Sequence, residues 1–217
     1  AACLNVILDL LFVCIFHQGI AGAAIATLIS QLFAATFCYF KLRKEFAEIV
    51  FILSSDIPLE KNAAEGVDES EILQMNPGEQ QAIGAAKIQT LRSTDEGVAF
   101  LVEYDGKTIY HAGDLNWWHW AEEGDAWNRN MEANFKRYTE PLRGRRVDLA
   151  MLPLDSRLKT DGYLGPNYFL NLMEVRRFLP MHQWEDFDFT DEFLSAYPQF
   201  APVTVKIHRD GEFLGEL

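Results

Sequence analysis

Near the middle of the chain, a short apolar strand pattern runs directly into an acid, in the segment Gly106-Lys107-Thr108-Ile109-Tyr110-His111-Ala112-Gly113-Asp114. The pair Asp105-Gly106 predicts a hairpin that joins this strand to the preceding run Val98–Tyr104. A strand that ends on a small residue, a glycine and an acid exposes its carboxylate at the edge of a sheet. Asp114 is therefore a candidate functional residue.

A second strand pattern ends on an imidazole. Phe178–Met181 is a short apolar run, and His182 follows it directly. A carboxylate and an imidazole at the ends of neighbouring strands suit a divalent cation such as zinc, manganese or iron. Another interpretation stays open for each residue, because a strand-end aspartate is commonly a turn former or helix cap and a single histidine is commonly a hydrogen-bonded structural residue.

The rest of the chain after residue 50 alternates short β-rich runs with turn signals. We predict further strands over Val50–Leu53, Glu71–Met75, Lys87–Leu91 and Val147–Leu152. Helices are predicted over Asp125–Tyr138, Asn167–Phe178 and Thr190–Ala196, and a closing hairpin is predicted to join Val203–His208 to Glu212–Leu217. Antiparallel hairpins followed by strands interleaved with helices predict an α+β fold of layered sheets covered by helices.

The composition changes abruptly between Phe40 and Glu45. Residues 1–40 contain one charged residue, Asp9, whereas residues 45–217 contain 16 Lys/Arg and 31 Asp/Glu. We therefore divide the chain into residues 1–44 and residues 45–217. The acidic second part has few cations to replace the counterions of a phosphate backbone, so we expect no nucleic-acid partner.

The first part is patterned as a transmembrane helical hairpin. Its apolar runs Ala1–Phe16 and Ile20–Phe40 approach or reach the length of about 20 residues that a bilayer core requires. The basic end Lys41–Lys44 predicts that residues 1–40 contact the lipid bilayer and that residues 45–217 are cytoplasmic. Asn5 and Asp9 share one helix face, where they are either candidates for ion or proton coupling or interfacial polar residues near a helix end.

The hairpin resembles the multidrug and toxic compound extrusion (MATE) transporters. The resemblance rests on Asn5-Val6-Ile7-Leu8-Asp9, on Gly19-Ile20-Ala21-Gly22-Ala23-Ala24-Ile25-Ala26-Thr27 and on Ser30-Gln31. It covers residues 1–44, which correspond to two of about a dozen helices in such a transporter. It implies an alternative function as part of a cation-coupled multidrug antiporter.

Residues 46–217 resemble the C-terminal part of metallo-β-lactamase-superfamily hydrolases. The resemblance rests on Gly106–Asp114 and on Leu179-Pro180-Met181-His182. It implies that Asp114 bridges two metal ions and that His182 binds the second. The implied fold is a four-layer αββα sandwich that lacks its N-terminal half here.

Two departures from that family affect the metal site. The His-x-His-x-Asp-His cluster that supplies most of the family's ligands is absent from the chain, and Arg92-Ser93-Thr94-Asp95 stands where a further ligand histidine is usual. We therefore expect a metal-dependent hydrolase domain that is impaired or inactive. Zinc is the first candidate cofactor, at low occupancy, and the substrate stays unknown. A half sandwich also predicts a partner chain that covers the open sheet.

Several other residues are candidates for supporting roles. His111, His119 and Asp155 are either recruited as metal ligands or, as the spacing favours, support the ligands or the fold without binding the metal. Trp117 and Trp118 form either an aromatic plug or a wall of the substrate pocket, and Glu185 either orients His182 or lies in a solvated loop.

Overall fold

The computed structural model describes residues 50–58, 72–209 and 211–214, and at its centre is a six-stranded mixed β-sheet. The described strands are β1 (Phe51–Ser54), β2 (Ile72–Met75), β3 (Gln80–Ile83), β4 (Ala86–Arg92), β5 (Val98–Tyr104), β6 (Lys107–His111), β7 (Arg146–Val147), β8 (Leu149–Pro153), β9 (Glu174–Val175) and β10 (Phe178–Met181). The central sheet has the order β10-β8-β6-β5-β4-β3, while β1 with β2 and β7 with β9 form two small sheets.

Strands β3 to β6 form an antiparallel meander, and β6, β8 and β10 are parallel to one another. The β5–β6 turn is tight because Asp105 and Gly106 both adopt left-handed backbone angles, with φ of 47° and 71°. Parallel neighbours require long crossover connections, which contain helices in this sheet. As a result, β6, β8 and β10 all end at the same edge.

Three α-helices follow the meander: α1 (Asp125–Thr139), α2 (Leu164–Leu172) and α3 (Phe189–Ala196). They pack on one face of the sheet through aromatic contacts. The Tyr110 ring on β6 stacks on Phe169 of α2 with centroids 4.6 Å apart, and Phe178 of β10 meets Phe193 of α3 edge-on at 6.1 Å. Phe135 of α1 belongs to the same buried cluster.

The two faces of the sheet differ in burial. On the helix-covered face, the register aligns Leu101, Tyr110, Ala150 and Phe178 across four strands, and each is at most 1% exposed. On the opposite face, the adjacent row is Phe100, His111, Met151 and Leu179, and all four are half-buried. The described residues thus include a helix layer packed on one face of a mixed sheet, and the incomplete four-layer sandwich stays a prediction.

Most predicted elements are observed, with β5 and β10 at their predicted bounds. The predicted helix Asn167–Phe178 is wrong beyond Leu172, because the Leu172 carbonyl accepts the Gly144 N–H and the chain turns into β9. The predicted strand Val147–Leu152 is interrupted at Asp148, whose carboxylate accepts the Thr108 N–H at 3.0 Å.

Two further predictions at strand level need correction. The described residues of the predicted closing hairpin contain no strand, and Thr204 only forms an isolated bridge to Phe178. Strand β3 was not predicted, because Gln80–Ile83 has a polar, largely exposed pattern typical of an edge strand.

The predicted transmembrane hairpin, residues 1–44, lies outside the described residues, as do Asn5 and Asp9. In the described part of the chain, no helix is long and apolar enough to cross a membrane. Residues 52–217 form a compact unit of their own.

Candidate metal centre

Asp114 is carried to the sheet edge by a turn that strongly favours glycine. Gly113 has a φ of +53°, and a Cβ atom added there would lie 2.9 Å from the Val98 carbonyl oxygen. The Ala112 N–H donates to the Met151 carbonyl at 3.0 Å and holds the turn on β8. The Asp114 side chain is left 40% exposed at the end of β6.

His182 follows β10 at the same edge. Its Nε2 atom lies 3.3 Å from Oδ1 of Asp114, so the structure brings the two predicted metal ligands together. They do not come from adjacent strands as predicted, because β8 lies between β6 and β10. The left-handed φ of 61° at His182 turns the chain sharply as it leaves the sheet.

The spacing of these two groups fits shared coordination of one cation. Ligands at about 2.0–2.1 Å from a tetrahedral zinc ion lie roughly 3.3 Å from each other. A nitrogen and a carboxylate oxygen also form a donor set that zinc, manganese and iron accept. However, the described residues contain no group of three His, Cys, Asp or Glu that could hold a metal. Asp114 and His182 alone are fewer than the three protein ligands usual at a catalytic zinc.

Asp155 lies at the end of β8, between the strand ends that carry Asp114 and His182. It is 0% exposed, and its Oδ2 is 3.7 Å from Nδ1 of His182. Burial opposes ionisation of this carboxyl, but its interactions with His182, Arg157 and Trp184 outweigh burial and hold its pKa well below the usual value. Asp155 is therefore ionised at neutral pH and faces the imidazole.

Arg157 and Trp184 complete the surroundings of Asp155. The Arg157 guanidinium donates from Nε and Nη2 to the carboxylate at 2.9 and 2.6 Å, and its backbone N–H donates at 3.0 Å. The Trp184 indole Nε1 donates to Oδ2 at 3.3 Å. The Arg157 Cζ also lies 4.5 Å from the centroid of the Trp184 ring, a favourable cation–π distance.

Of the two predicted pocket tryptophans, Trp118 borders the site. Its indole Nε1 donates to the Asp114 carbonyl at 2.9 Å, and its ring centroid is 5.8 Å from that of His182. Trp117 lies elsewhere, beneath the Lys136 ammonium and edge-on to Tyr168. The adjacent residues Trp117 and Trp118 therefore contact two different regions, because successive side chains in this segment point in different directions.

The predicted supporting histidines have unequal environments. His111 Nδ1 accepts the Gly113 N–H at 3.0 Å, which braces the turn before Asp114. Burial lowers the pKa of His111, and the nearby Asp114 charge only partly opposes this shift. His119 is half-buried, and no hydrogen bond, ion pair or ring contact joins it to other described residues.

The loop after β10 is strained. Trp184 and Glu185 also have left-handed backbone angles, with φ of 50° and 66°. Such conformations cost non-glycine residues on the order of 1–3 kcal/mol each and cluster at functional sites. The buried Gln183 side chain stabilises the loop by donating to Thr190 Oγ1 at 2.5 Å. Glu185 is exposed, and no contact with His182 supports its predicted orienting role.

The segment Arg92–Asp95 contacts the loop that carries Asp114. Thr94 Oγ1 donates to the Asn116 carbonyl at 2.7 Å and accepts the Asn116 N–H at 3.0 Å. Its hydroxyl thereby fixes the loop just after Asp114.

Two open cavities lie on the two sides of the Asp114–His182 pair. One, of about 480 Å³, is bordered by Asp114, Gly113, Val98, Glu96 and residues 56–58. The other, of about 440 Å³, is bordered by His182, Trp184 and the C-terminal segment. Each is large enough for a small organic molecule.

Sequence reasoning missed Arg157 and Trp184. Their placement depends on long-range contacts, since Arg157 Cζ lies 5.5 Å from the Trp120 ring and 4.5 Å from the Trp184 ring. The one local signal was the spacing of Asp155 and Arg157 after a strand, which suits an aspartate that accepts hydrogen bonds from the residue two positions later.

No protein-family model matches the chain, and no curated protein matches it. Solved structures with similar shape include CmlA, a diiron β-hydroxylase from Streptomyces venezuelae (10% identity, 63% of this chain and 33% of that chain, TM-score 0.44). Others are the metallo-β-lactamase fold protein YhfI from Bacillus subtilis (12%, 67% and 59%, TM-score 0.39) and a putative Zn-dependent hydrolase of the metallo-β-lactamase superfamily from Thermotoga maritima (17%, 51% and 49%, TM-score 0.33).

Proposed function

We propose that residues 46–217 are the C-terminal part of a metal-dependent hydrolase domain of the metallo-β-lactamase type, and that this chain by itself binds a divalent cation weakly. The observation that carries the proposal is the 3.3 Å separation of Asp114 Oδ1 and His182 Nε2 at the shared end of parallel strands. The strand patterns made both groups candidates and the family resemblance implied their ligand roles; their separation supports the proposal.

Asp114 and His182 would hold the cation, with zinc as the first candidate. When bound, such a cation lowers the pKa of a coordinated water so that hydroxide forms near neutral pH. Two further residues shape the surroundings of the proposed ligands. Trp118 packs beside the imidazole and limits access of water on that side, and Gly113 keeps the carboxylate at the sheet edge.

The ligand set predicts weak or absent hydrolysis. A catalytic zinc normally has three protein ligands, and the described residues offer two at this position. We propose that a second chain supplies further ligands and covers the half-buried face that carries Phe100, Met151 and Leu179.

Zinc titration of the full-length chain tests the metal site. We expect weak binding by the wild-type protein and a loss of at least tenfold in affinity in Asp114→Asn and in His182→Gln. His208→Gln is the matched control, because His208 is also paired with a carboxylate, that of Glu212, in place of Asp114 or Asp155. Equal affinity in all four proteins would contradict the proposed ligands.

Hydrolysis assays test the predicted impairment. Ester, lactam and phosphodiester substrates should show weak turnover or none when the chain is supplied with zinc. Stoichiometric, tight binding of two zinc ions with substantial turnover would contradict the incomplete ligand set.

The transport role, the bilayer contact of residues 1–40 and the cytoplasmic placement of residues 45–217 stay predictions, because residues 1–44 lie outside the described part. Cation-coupled efflux by the chain reconstituted in vesicles would support transport. Failure of Asp9→Asn to alter that efflux would remove Asp9 from the coupling mechanism.

A further inference from the structure

We infer that Asp155 is a positioning residue that accepts a hydrogen bond from His182 Nδ1 and thereby directs the Nε2 lone pair of His182 toward Asp114. This inference rests on the proposed function, because it concerns how Asp155 orients the proposed ligand His182 for a cation. It assigns Asp155 the role that the sequence suggested for Glu185.

The first observation is an unpaired nitrogen. His182 Nδ1 is buried and has no hydrogen-bond partner among the described residues. A buried polar atom of this kind is rare, because leaving it unpaired costs about 1–3 kcal/mol. The carboxylate oxygen of Asp155 faces it at 3.7 Å, slightly beyond a hydrogen bond.

The second observation is that several donors hold the Asp155 carboxylate. Arg157 Nη2 and Trp184 Nε1 both donate to Oδ2, and Asp155 itself is fully buried. Gly162 packs closely on the Asp155 backbone, since a Cβ atom at Gly162 would lie 2.4 Å from the Asp155 carbonyl oxygen. The carboxylate is therefore a preorganised acceptor.

The third observation is the division of the imidazole between two acids. Nε2 faces Asp114 at 3.3 Å and Nδ1 faces Asp155 at 3.7 Å. A neutral imidazole carries one proton, and a hydrogen bond from one nitrogen decides which nitrogen is free to bind a metal. A proton on Nδ1 leaves Nε2 free on the side of Asp114. Carboxylate-supported histidine ligands follow this pattern, and loss of the carboxylate typically costs 10–100-fold in metal affinity.

The experiment has a readout that needs no metal. In the full-length chain labelled with ¹⁵N-histidine, long-range ¹H–¹⁵N correlation spectra above pH 8 report which nitrogen of each neutral imidazole carries the proton. His182→Gln assigns the His182 signals. We expect the Nδ1–H form in the wild-type protein and a shift toward the Nε2–H form in Asp155→Asn.

Zinc titration of the same proteins gives the second readout, with an expected 10–100-fold weaker affinity for Asp155→Asn. Asp148→Asn is the matched control, because Asp148 precedes β8, accepts the Thr108 N–H and pairs with Arg176, yet lies at the far end of that strand. This control should change neither the tautomer nor the zinc affinity. Circular dichroism confirms that each variant is folded, and Asp155→Glu provides a second variant if Asp155→Asn does not fold.

The outcomes separate the inference from the proposed function. An unchanged tautomer in both folded Asp155 variants would overturn the inference. If the wild-type chain binds zinc, a changed tautomer with unchanged zinc affinity would overturn it as well. A changed tautomer together with no zinc binding by the wild-type chain would support the role of Asp155 in orienting His182 and would overturn the proposed function.

Discussion

The two faces of the central sheet show how unevenly this chain is packed. Phe178 and Leu179 are consecutive residues of β10, yet Phe178 is fully buried against the helices while Leu179 is half-buried on the opposite face. The same contrast repeats at Tyr110 and His111 of β6. Because the side chains of a strand alternate between faces, one face has become a finished core and the other retains partly exposed apolar groups. The candidate site lies at the ends of β6, β8 and β10, at an edge that both faces of the sheet share.

The largest expected effect separates the two faces directly. Phe178→Ala should destabilise the protein by about 3–5 kcal/mol, because it removes a fully buried ring from the helix-covered core. Leu179→Ala should cost less than about 2 kcal/mol, because part of that side chain already contacts water. Denaturant unfolding followed by fluorescence measures both, since all five tryptophans lie between residues 117 and 184. Equal losses would mean that the second face is covered as well as the first.

The next effect concerns the turn by which β6 leaves the sheet. Gly113→Ala should cost about 2–3 kcal/mol, because alanine pays about 1–2 kcal/mol for a left-handed conformation and its Cβ would also press on the Val98 carbonyl. Gly97→Ala is the control, since Gly97 has a φ of +74° but open space around its Cα. Gly97→Ala should therefore lose only the free energy that alanine pays for the left-handed backbone conformation. A Gly113→Ala variant as stable as Gly97→Ala would refute the steric argument.

A smaller, pH-dependent effect on stability is expected from Asp155, which lies at the end of β8. The pKa of Asp155 is lower in the folded chain than in the unfolded chain, so its ionisation stabilises the fold above about pH 4 and this contribution is lost as the pH falls below that value. Asp155→Asn should be less stable than wild type by about 1–3 kcal/mol at pH 7. The difference in stability between Asp155→Asn and wild type should become smaller in acid. A gap that stays constant down to pH 3 would contradict an ionised, paired Asp155.

The smallest expected change in stability tests whether a water molecule is bound to the Tyr110 hydroxyl on the helix-covered face. The Tyr110 hydroxyl is buried and has no partner among the described residues, and burial alone raises the pKa of this phenol far above its usual value. Tyr110→Phe should therefore change stability by less than about 1 kcal/mol, in either direction. Tyr163→Phe is the comparison, because the Tyr163 hydroxyl contacts Glu192 at 3.4 Å and should contribute about 0.5–1.5 kcal/mol. A larger loss for Tyr110→Phe would reveal a bound water.

The accuracy of the sequence predictions followed the range of the interactions involved. Strand β5 was predictable because apolar residues and the Asp105-Gly106 turn define it locally. The end of α2 was not, because contacts with Gly144 and the β7–β9 pair stop the helix at Leu172. At the site, Asp114 and His182 could be singled out by their strand ends. Their separation, and the place of β8 between them, depended on the order of strands in the sheet.

The sequence by itself determined the local elements and the residue types available for chemistry. It showed an acidic α+β part with an aspartate and a histidine at strand ends and without the His-x-His-x-Asp-His cluster. Only the tertiary structure decided which side chains meet. It placed Asp155 beneath His182, removed Trp117 and Glu185 from the imidazole, and set Arg157 against Trp184. Hydrogen bonds along a strand follow from neighbours in sequence, but the packing of parallel strand ends depends on crossovers tens of residues long, whose paths no local pattern specifies.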